Sequence, residues 1–240
     1  MKQLTLILLF GSLFFSSCDL ILGRRIQGDG TISSEKRNIA FADKIKLAGS
    51  FDVEIVNGAT PSVTIETDEN ILPYLITRNE NDWLVIRSKK HCNLIPSNKI
   101  KVIVTTNRLE SVTLAGSGNI FSNDKFSTNS AIELKIAGSG DATLLLDAPK
   151  ILAEIAGSGN INLSGETKDL VIKIAGHGDF KGENLKSENA SVHIAGSGNV
   201  RVFADNKLDV HIAGSGDVYY KGKASVEQHI AGSGTIKQLQ

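Results

Sequence analysis

The sequence predicts an all-β fold, a parallel β-solenoid, from three observations. A short phrase, Ala-Gly-Ser-Gly, recurs seven times at intervals of 22, 19, 19, 20, 18 and 18 residues, which suits one solenoid turn per copy. Apolar residues occupy the same positions around almost every copy, and short alternating segments follow one another from Ile39 onward. The copies begin at Ala115, Ala137, Ala156, Ala175, Ala195, Ala213 and Ala231.

The apolar positions predict which side chains face the interior. If the motif alanine is position zero, positions −3, −1 and +5 are apolar in every copy except for Gln228. Alternation along a strand turns all three positions to one face. Because one repeat cannot bury that face without neighbours, we expect the repeats to stack in register around a continuous core.

The paired glycines predict a sharp corner between two strands. Seven copies with two glycines each account for 14 of the 23 glycines, and only the serine between them varies, to His177 in the fourth copy. Glycine permits positive φ and leaves room where stacked backbones approach closely. A phosphate-binding loop would require a following helix, whereas a strand follows here, so we reject that alternative.

An eighth, degraded copy begins at Ala48, with Phe51 in place of the second glycine. The 67 residues between Ala48 and Ala115 are expected to hold about three irregular rungs of one continuous solenoid, and a separate N-terminal β-sandwich is the alternative. The predicted organisation is a signal peptide (1–17), a lipid-anchored tether (18–37), an irregular N-terminal β region (38–114) and the regular Gly-Ser-Gly repeats (115–240).

The N-terminus predicts export. Lys2 precedes an apolar run from Leu4 to Phe15, which is too short to span a bilayer comfortably and is typical of a cleaved signal peptide. The segment Phe15-Ser16-Ser17-Cys18 is similar to a loose lipobox, so we predict acylation of Cys18 and anchoring to a membrane. The alternative is an ordinary secretory signal. Acylation leaves Cys92 as the one free thiol and allows no intramolecular disulfide.

The charge balance argues against nucleic-acid binding. Lys plus Arg and Asp plus Glu are each 26, so the formal net charge is zero. A balanced chain exerts no overall attraction on a polyanion.

The repeated Gly-Ser-Gly phrase and two N-terminal segments, Leu47–Ile55 and Val63–Ile71, resemble the bacterial head GIN domain family. The resemblance covers roughly residues 37–236. The resemblance implies a right-handed β-helix like that of pectin lyases, without their catalytic residues, on a protein of the bacterial envelope. It also implies an adhesin of the autotransporter type, although adhesion is a suggested role for that family. Phe51 and His177 depart from the repeated phrase only locally.

In a stacked solenoid, the residues at one repeat position form a column that runs across successive rungs. One outward-facing column offers a candidate ligand surface. Position +6 supplies Lys181, Arg201, Tyr219 and Lys237 on successive rungs. Basic groups with one aromatic ring could hold acidic glycans or another envelope polymer, and the alternative is an ordinary solvated face.

Two further columns raise the question of metal binding. Position −2 supplies His193, His211 and His229, but three histidines in a line span two rung spacings, so a solvated ladder is favoured over one zinc site. Position +4 alternates asparagine and aspartate, which predicts side-chain hydrogen bonds along the stack. One carboxylate per rung is too few for calcium. We therefore assign no metal and no cofactor.

The predicted function is that of a non-catalytic, lipid-anchored envelope protein, an adhesin or surface-binding module, on the outer membrane and facing either the surface or the periplasm. The first alternative is a polysaccharide lyase or hydrolase, which would need close carboxylates or a metal that no outward column supplies. The second is an assembly or signalling accessory that forms homo-oligomers through its ends. No evident cap covers the last rung, although Gln228 and Lys237 would blunt its edge.

Overall fold

The computed structural model describes residues 23–239. These residues form twenty strands and a single 3-10 turn, Leu72–Tyr74, and no helix among them is long and apolar enough to cross a bilayer. The strands are β1 (Arg24–Gln27), β2 (Ile32–Asn38), β3 (Lys44–Gly49), β4 (Asp52–Asn57), β5 (Ser62–Asp68), β6 (Leu75–Glu80), β7 (Trp83–Ser88), β8 (Cys92–Ile95), β9 (Lys101–Thr106), β10 (Ser111–Gly116), β11 (Asn119–Ser127), β12 (Ile132–Gly138), β13 (Ala142–Gly157), β14 (Ile161–Gly176), β15 (Phe180–Gly196), β16 (Val200–Phe203), β17 (Lys207–Gly214), β18 (Val218–Lys221), β19 (Ser225–Gly232) and β20 (Ile236–Gln238).

The repeats stack as parallel coils, which confirms the predicted β-solenoid. Each motif alanine lies opposite the motif alanine of the next copy, as in the pairs of β12 with β13 and of β14 with β15. The longer repeats absorb their extra residues as irregularities: the 20-residue repeat shifts register between Asn162 and Ser164. The corners therefore stay aligned although the repeats differ in length.

The predicted inward positions form the core. In the copies that begin between Ala115 and Ala213, the side chains at positions −3, −1 and +5 are at most 3% exposed. The last rung differs, because within residues 23–239 β19 and β20 each pair on one side only, with β17 and β18. Ile230, at position −1 of that rung, is consequently 40% exposed.

The corner glycines have two distinct reasons to be glycine. Gly176, the first of its pair, has φ = 131°, and a Cβ there would overlap the carbonyl oxygen of Gly157 on the preceding rung. Gly178 is not in the positive-φ region, but its Cβ would overlap the carbonyl oxygen of Gly159. The Gly157 carbonyl accepts hydrogen bonds from the N–H groups of His177 (2.8 Å) and Gly178 (3.2 Å). Since His177 contributes its backbone and keeps its side chain exposed, it replaces serine without disturbing the corner.

The N-terminal region differs from the three irregular rungs that were expected between the degraded copy and the first regular one. β3 pairs directly with β10, and β4 pairs directly with β11, so Ala48 lies against Ala115. The intervening chain packs on the other side of this rung, where β7 is parallel to β3 and β9 is parallel to β4. Antiparallel pairs β2–β5, β5–β9 and β6–β7 complete this end. The expectation of three intervening rungs was therefore wrong.

Local turn chemistry explains this antiparallel cap. Asn81 and Asp82 both have positive φ, 46° and 66°, and they join β6 to β7 as a two-residue hairpin of the type I′ kind. Such a turn returns the chain beside itself instead of advancing it by one rung.

Phe51 lies at the base of the glycine corner, where its buried ring packs against Gly49.

The prediction of a tether at residues 18–37 was wrong for residues 23–37, the part that the structure describes. β1 pairs in parallel with β8, and β2 pairs antiparallel with β5. The Gly28–Gly30 segment between them wraps around the fully buried Asp68, whose Oδ1 accepts hydrogen bonds from Gly30 N (2.8 Å) and Ser97 Oγ (2.6 Å). Ser97 N donates to Oδ2 at 2.9 Å. A Cβ at Gly28 would overlap this carboxylate, and Gly30 adopts φ = 83°, so the two glycines serve close packing and turn geometry and not flexibility.

The corner geometry predicts that Gly176→Ala destabilises the solenoid by about 3 kcal/mol, because it forces positive φ on alanine and displaces the Gly157 carbonyl. Urea-unfolding midpoints measure the effect. The matched control, His177→Ser, restores the consensus at an exposed side chain and should change stability by less than about 0.5 kcal/mol. Equal midpoints for wild type and Gly176→Ala would contradict the account of the corner.

The buried Asp68 predicts a pH-dependent contribution to stability. Burial, the largest influence, acts to raise the pKa of Asp68, but the hydrogen bonds from Ser97 and Gly30 outweigh it and leave the pKa below its ordinary value of 3.8. Since the folded-state pKa is the lower one, the contribution is present above pH 3.8 and is lost as the pH falls through the folded-state pKa.

Asp68→Asn should therefore lower the free energy of unfolding by roughly 1–3 kcal/mol at pH 7, because one of the groups on Gly30 and Ser97 that donate to the carboxylate then faces an amide NH₂. The difference from wild type should narrow as the pH falls below 3.8, as measured by urea unfolding across that range. Glu69→Gln, an exposed neighbour, is the control and should show no such trend. If the free energies of unfolding of wild type and Asp68→Asn differ by the same amount from pH 7 to pH 3, the ionised Asp68 carboxylate is not the source of the stabilisation.

Candidate functional site

Three of the four residues predicted at position +6 line one depression on the outer face. Lys181 on β15 lies in register with Arg201 on β16, and Arg201 with Tyr219 on β18. The depression has a volume of about 640 Å³ and its rim carries further polar groups. Its lining residues are Asp179, Lys181, Glu183, Asn199, Arg201, Asp217 and Tyr219, and we call it the Arg201 depression. The fourth predicted residue, Lys237, continues the column on the last rung and is not part of the lining.

Contacts within the Arg201 depression hold its side chains in place. The Arg201 guanidinium lies 5.7 Å from the centre of the Tyr219 ring, within the range of a cation–π contact. Arg201 Nη1 is 3.9 Å from Glu183 Oε1, and the Tyr219 hydroxyl donates to Asp217 Oδ2 at 3.5 Å. Glu183 Oε2 is shielded from solvent and accepts no hydrogen bond from the described residues. A rigid aromatic ring and charged groups held by their neighbours therefore lie in the same recess.

The charge of this surface differs from the basic strip that was expected. Two cations, Lys181 and Arg201, are accompanied by the carboxylates of Asp179, Glu183 and Asp217. These carboxylates come from columns on either side of position +6. The recess consequently carries no excess of positive charge that would attract an acidic polymer.

The asparagine–aspartate column at position +4 forms the predicted hydrogen-bond ladder. Asp141 Oδ1 accepts from the N–H (2.9 Å) and the side-chain amide (2.8 Å) of Asn160. Asp179 Oδ1 accepts in the same way from Asn199, at 2.8 and 3.2 Å. In turn, Asp179 N donates to Asn160 Oδ1 at 3.1 Å. Each side chain thus holds the residue that follows the next corner.

The column at position −2 lies outward, as predicted. Lys173 Nζ is 3.2 Å from Glu154 Oε1, which forms an ion pair across rungs. The rings of His193 and His211 stack at 5.0 Å between centroids, and those of His211 and His229 at 4.8 Å. Beside this column the exposed motif alanines form the floor of a shallow groove of about 950 Å³.

Sequence reasoning missed two residues near these columns. Glu183 enters the Arg201 depression after an irregularity in β15, so a constant repeat position does not reveal it. Asp209 lies at position −4 beside the stacked histidines, with Oδ1 3.2 Å from His211 Nε2. The signal for Asp209 was present, because on a strand residues two apart share a face. Cys18, the predicted acylation site, lies outside the described residues, and Cys92 is a half-buried free thiol.

Comparison with known proteins places the fold in a family. The family model described as "Putative auto-transporter adhesin, head GIN domain" matches residues 41–224. The chain belongs to this family. No protein with a curated description matches this head GIN domain protein significantly.

Solved structures resemble this head GIN domain protein along most of their length. A putative lipid binding protein from Parabacteroides distasonis is 28% identical, with a TM-score of 0.77, and the match covers 90% of this chain and 100% of that one. A putative adhesin from Bacteroides fragilis has a TM-score of 0.83 at 20% identity, covering 89% and 100%. A putative adhesin from Parabacteroides merdae has a TM-score of 0.70 at 23% identity, covering 91% and 100%. The last two matches bear on the fold alone.

Proposed function

We propose that this head GIN domain protein is a non-catalytic adhesin of the bacterial envelope that binds a neutral, hydroxyl-rich glycan in the Arg201 depression. Its signal peptide, residues 1–17, would direct export, and acylation of Cys18 would hold it on the outer membrane. Support for the envelope role comes from the family, whose model is described as an auto-transporter adhesin. Support for the anchor comes from the N-terminal sequence.

The composition of the Arg201 depression carries the choice of ligand. Sugar rings present an apolar face and several hydroxyl groups. The Tyr219 ring offers a rigid apolar surface, and the surrounding carboxylate, amide and guanidinium groups offer acceptors and donors for hydroxyls. Glu183 keeps a partly exposed side chain in the depression and adds a further carboxylate acceptor for ligand hydroxyls. The three carboxylates favour a neutral glycan over the acidic one that the position +6 column alone predicted.

The same contacts argue against a polysaccharide-cleaving enzyme. Sequence reasoning found no clustered carboxylates, whereas the Arg201 depression contains three, so a catalytic pair has to be considered. However, Asp179 Oδ1 accepts two hydrogen bonds from Asn199, and Asp217 Oδ1 accepts two from Thr235, at 2.9 and 2.8 Å. Both aspartates therefore serve the position +4 ladder, and Glu183 alone does not make the pair of carboxylates that glycosidic cleavage requires.

Acylation predicts a clear difference between the two cysteines. Cells fed an alkyne-labelled fatty acid should label wild type and Cys92→Ala equally, whereas Cys18→Ala should carry no label and should leave the membrane fraction. Gel fluorescence after coupling to a dye measures the label. Protease added to intact cells then separates surface exposure from a periplasmic location. Label on Cys18→Ala would refute the anchor.

Binding in the Arg201 depression predicts that Tyr219→Ala and Arg201→Gln weaken a neutral oligosaccharide hit by about tenfold or more, because aromatic and arginine anchors dominate such sites. Arrays of neutral and acidic oligosaccharides, followed by titration calorimetry, measure the affinity. Asn162→Ala, an exposed position in the same column two rungs below Arg201, is the matched control and should bind as wild type does. Full affinity in both Tyr219→Ala and Arg201→Gln would show that the glycan does not bind in the Arg201 depression. Binding of acidic glycans alone would overturn the proposal that the ligand is neutral.

A further inference from the structure

We propose that Asp209, His211 and His229 form a binding site for a divalent transition metal ion of the zinc class on the outer face of the last two rungs. Ligand atoms from these three side chains all lie within 4.8 Å of one another. Imidazole nitrogens and carboxylate oxygens are ordinary zinc ligands. The site lies before the glycine corner in the repeat, whereas the Arg201 depression lies after it, so this proposal does not depend on glycan binding.

Asp209 and His211 are already spaced as two ligands of one ion. They stand two residues apart on β17, so both side chains point to the outer face. Asp209 Oδ1 is 3.2 Å from His211 Nε2. Zinc bonds of 2.0–2.1 Å in tetrahedral geometry place two ligand atoms about 3.3 Å apart.

One oxygen of the Asp209 carboxylate lacks a hydrogen-bond donor among the described residues. This oxygen, Oδ1, is shielded from solvent and makes no hydrogen bond within residues 23–239, although His211 Nε2 lies 3.2 Å away. A buried acceptor without a donor costs free energy. A cation coordinated by Oδ1 and by the nearby imidazole nitrogen would remove that cost.

His229 can complete the set by a side-chain movement. Its ring stacks on that of His211 with an interplanar angle of 5°. Since its ligand nitrogen lies within 4.8 Å of the other ligand atoms, a movement of up to about 1.5 Å brings it to ligand spacing. His229 is exposed and belongs to the last rung, where no described strand covers the far edge. The residue opposite Asp209 on that rung, Glu227, is paired with Lys207 at 3.0 Å, which offsets the nearest lysine charge.

The neighbouring histidine belongs to a different arrangement. Opposite Asp209 on the preceding rung stands Ser191, whose Oγ lies 3.2 Å from His193 Nε2. His193 thus has a hydroxyl where His211 has a carboxylate. The sequence analysis considered the three histidines as the ligand set and rejected their linear geometry. The structure offers another set, in which Asp209 replaces His193 and converges from the side.

Coordination would link the last rung to the one below it. His229 is on β19, while Asp209 and His211 are on β17. An ion held by both strands would stabilise the open end of the solenoid, since a ligand that binds only the folded form shifts the unfolding equilibrium. Three protein ligands would leave a fourth position for water.

Titration calorimetry of the full-length protein with ZnCl₂ at pH 7.5 tests the site. We expect one Zn²⁺ per chain in wild type and affinity at least about tenfold lower in Asp209→Asn, His211→Gln and His229→Gln. The matched control is His193→Gln, which removes one ring of the stack but keeps the His211–His229 pair and all three proposed ligands, and it should retain affinity within about twofold. Absence of zinc binding in wild type, or equal losses in His193→Gln and His211→Gln, would overturn the proposal.

Thermal unfolding gives a second readout that separates ligation from misfolding. Zinc should raise the melting temperature of wild type and His193→Gln but not that of Asp209→Asn. Melting of the metal-free Asp209→Asn protein close to wild type would show that this variant is folded. If zinc raises the melting temperature of Asp209→Asn as much as that of wild type, the carboxylate is not a ligand.

Discussion

The carbonyl oxygen of the first glycine in each corner is the constraint on which the solenoid depends. It accepts an N–H group from every next corner and two from the earlier ones, as Gly157 does from His177 and Gly178, whereas Gly176 accepts one, from Ser197. These groups come within reach only if the backbone of the next rung approaches so closely that no Cβ fits beside the oxygen. Positive φ at the first glycine then turns the chain into the following strand. One repeated contact thereby sets the rung spacing, the bend and the register together.

Fixed register turns a sequence position into a physical column. Inward columns carry isoleucine and valine, because those positions have no access to water once the rungs are stacked. Outward columns are free to vary, and their side chains contact the same position on adjacent rungs. The amide–carboxylate ladder reinforces the corner in this way, whereas the stacked histidines and the position +6 side chains of the Arg201 depression add groups that the fold itself does not need.

Periodic features were predictable from the sequence, and features that depend on non-repeating contacts were not. The inward positions, the outward histidines and the position +4 hydrogen bonds all follow from alternation and stacking. The antiparallel cap depends on a hairpin at Asn81 and Asp82, and its strands pair with partners distant in sequence. The Gly28–Gly30 segment was taken for a linker because the buried Asp68 that it encloses is 38 residues beyond Gly30. Glu183 was missed because a local shift in register removed it from its column.

The last rung has consequences for how such proteins change in length. β19 and β20 present one complete backbone edge with no described partner, and Val226 and Ile236 remain only partly covered. Any further 18-residue unit with the same corner would meet hydrogen-bonding groups and an apolar surface already in register. Tandem duplication at this terminus therefore needs no compensating change elsewhere. At the opposite terminus, β7 and β9 already cover the edge of the degraded copy, so a further unit with the same corner cannot stack on that copy.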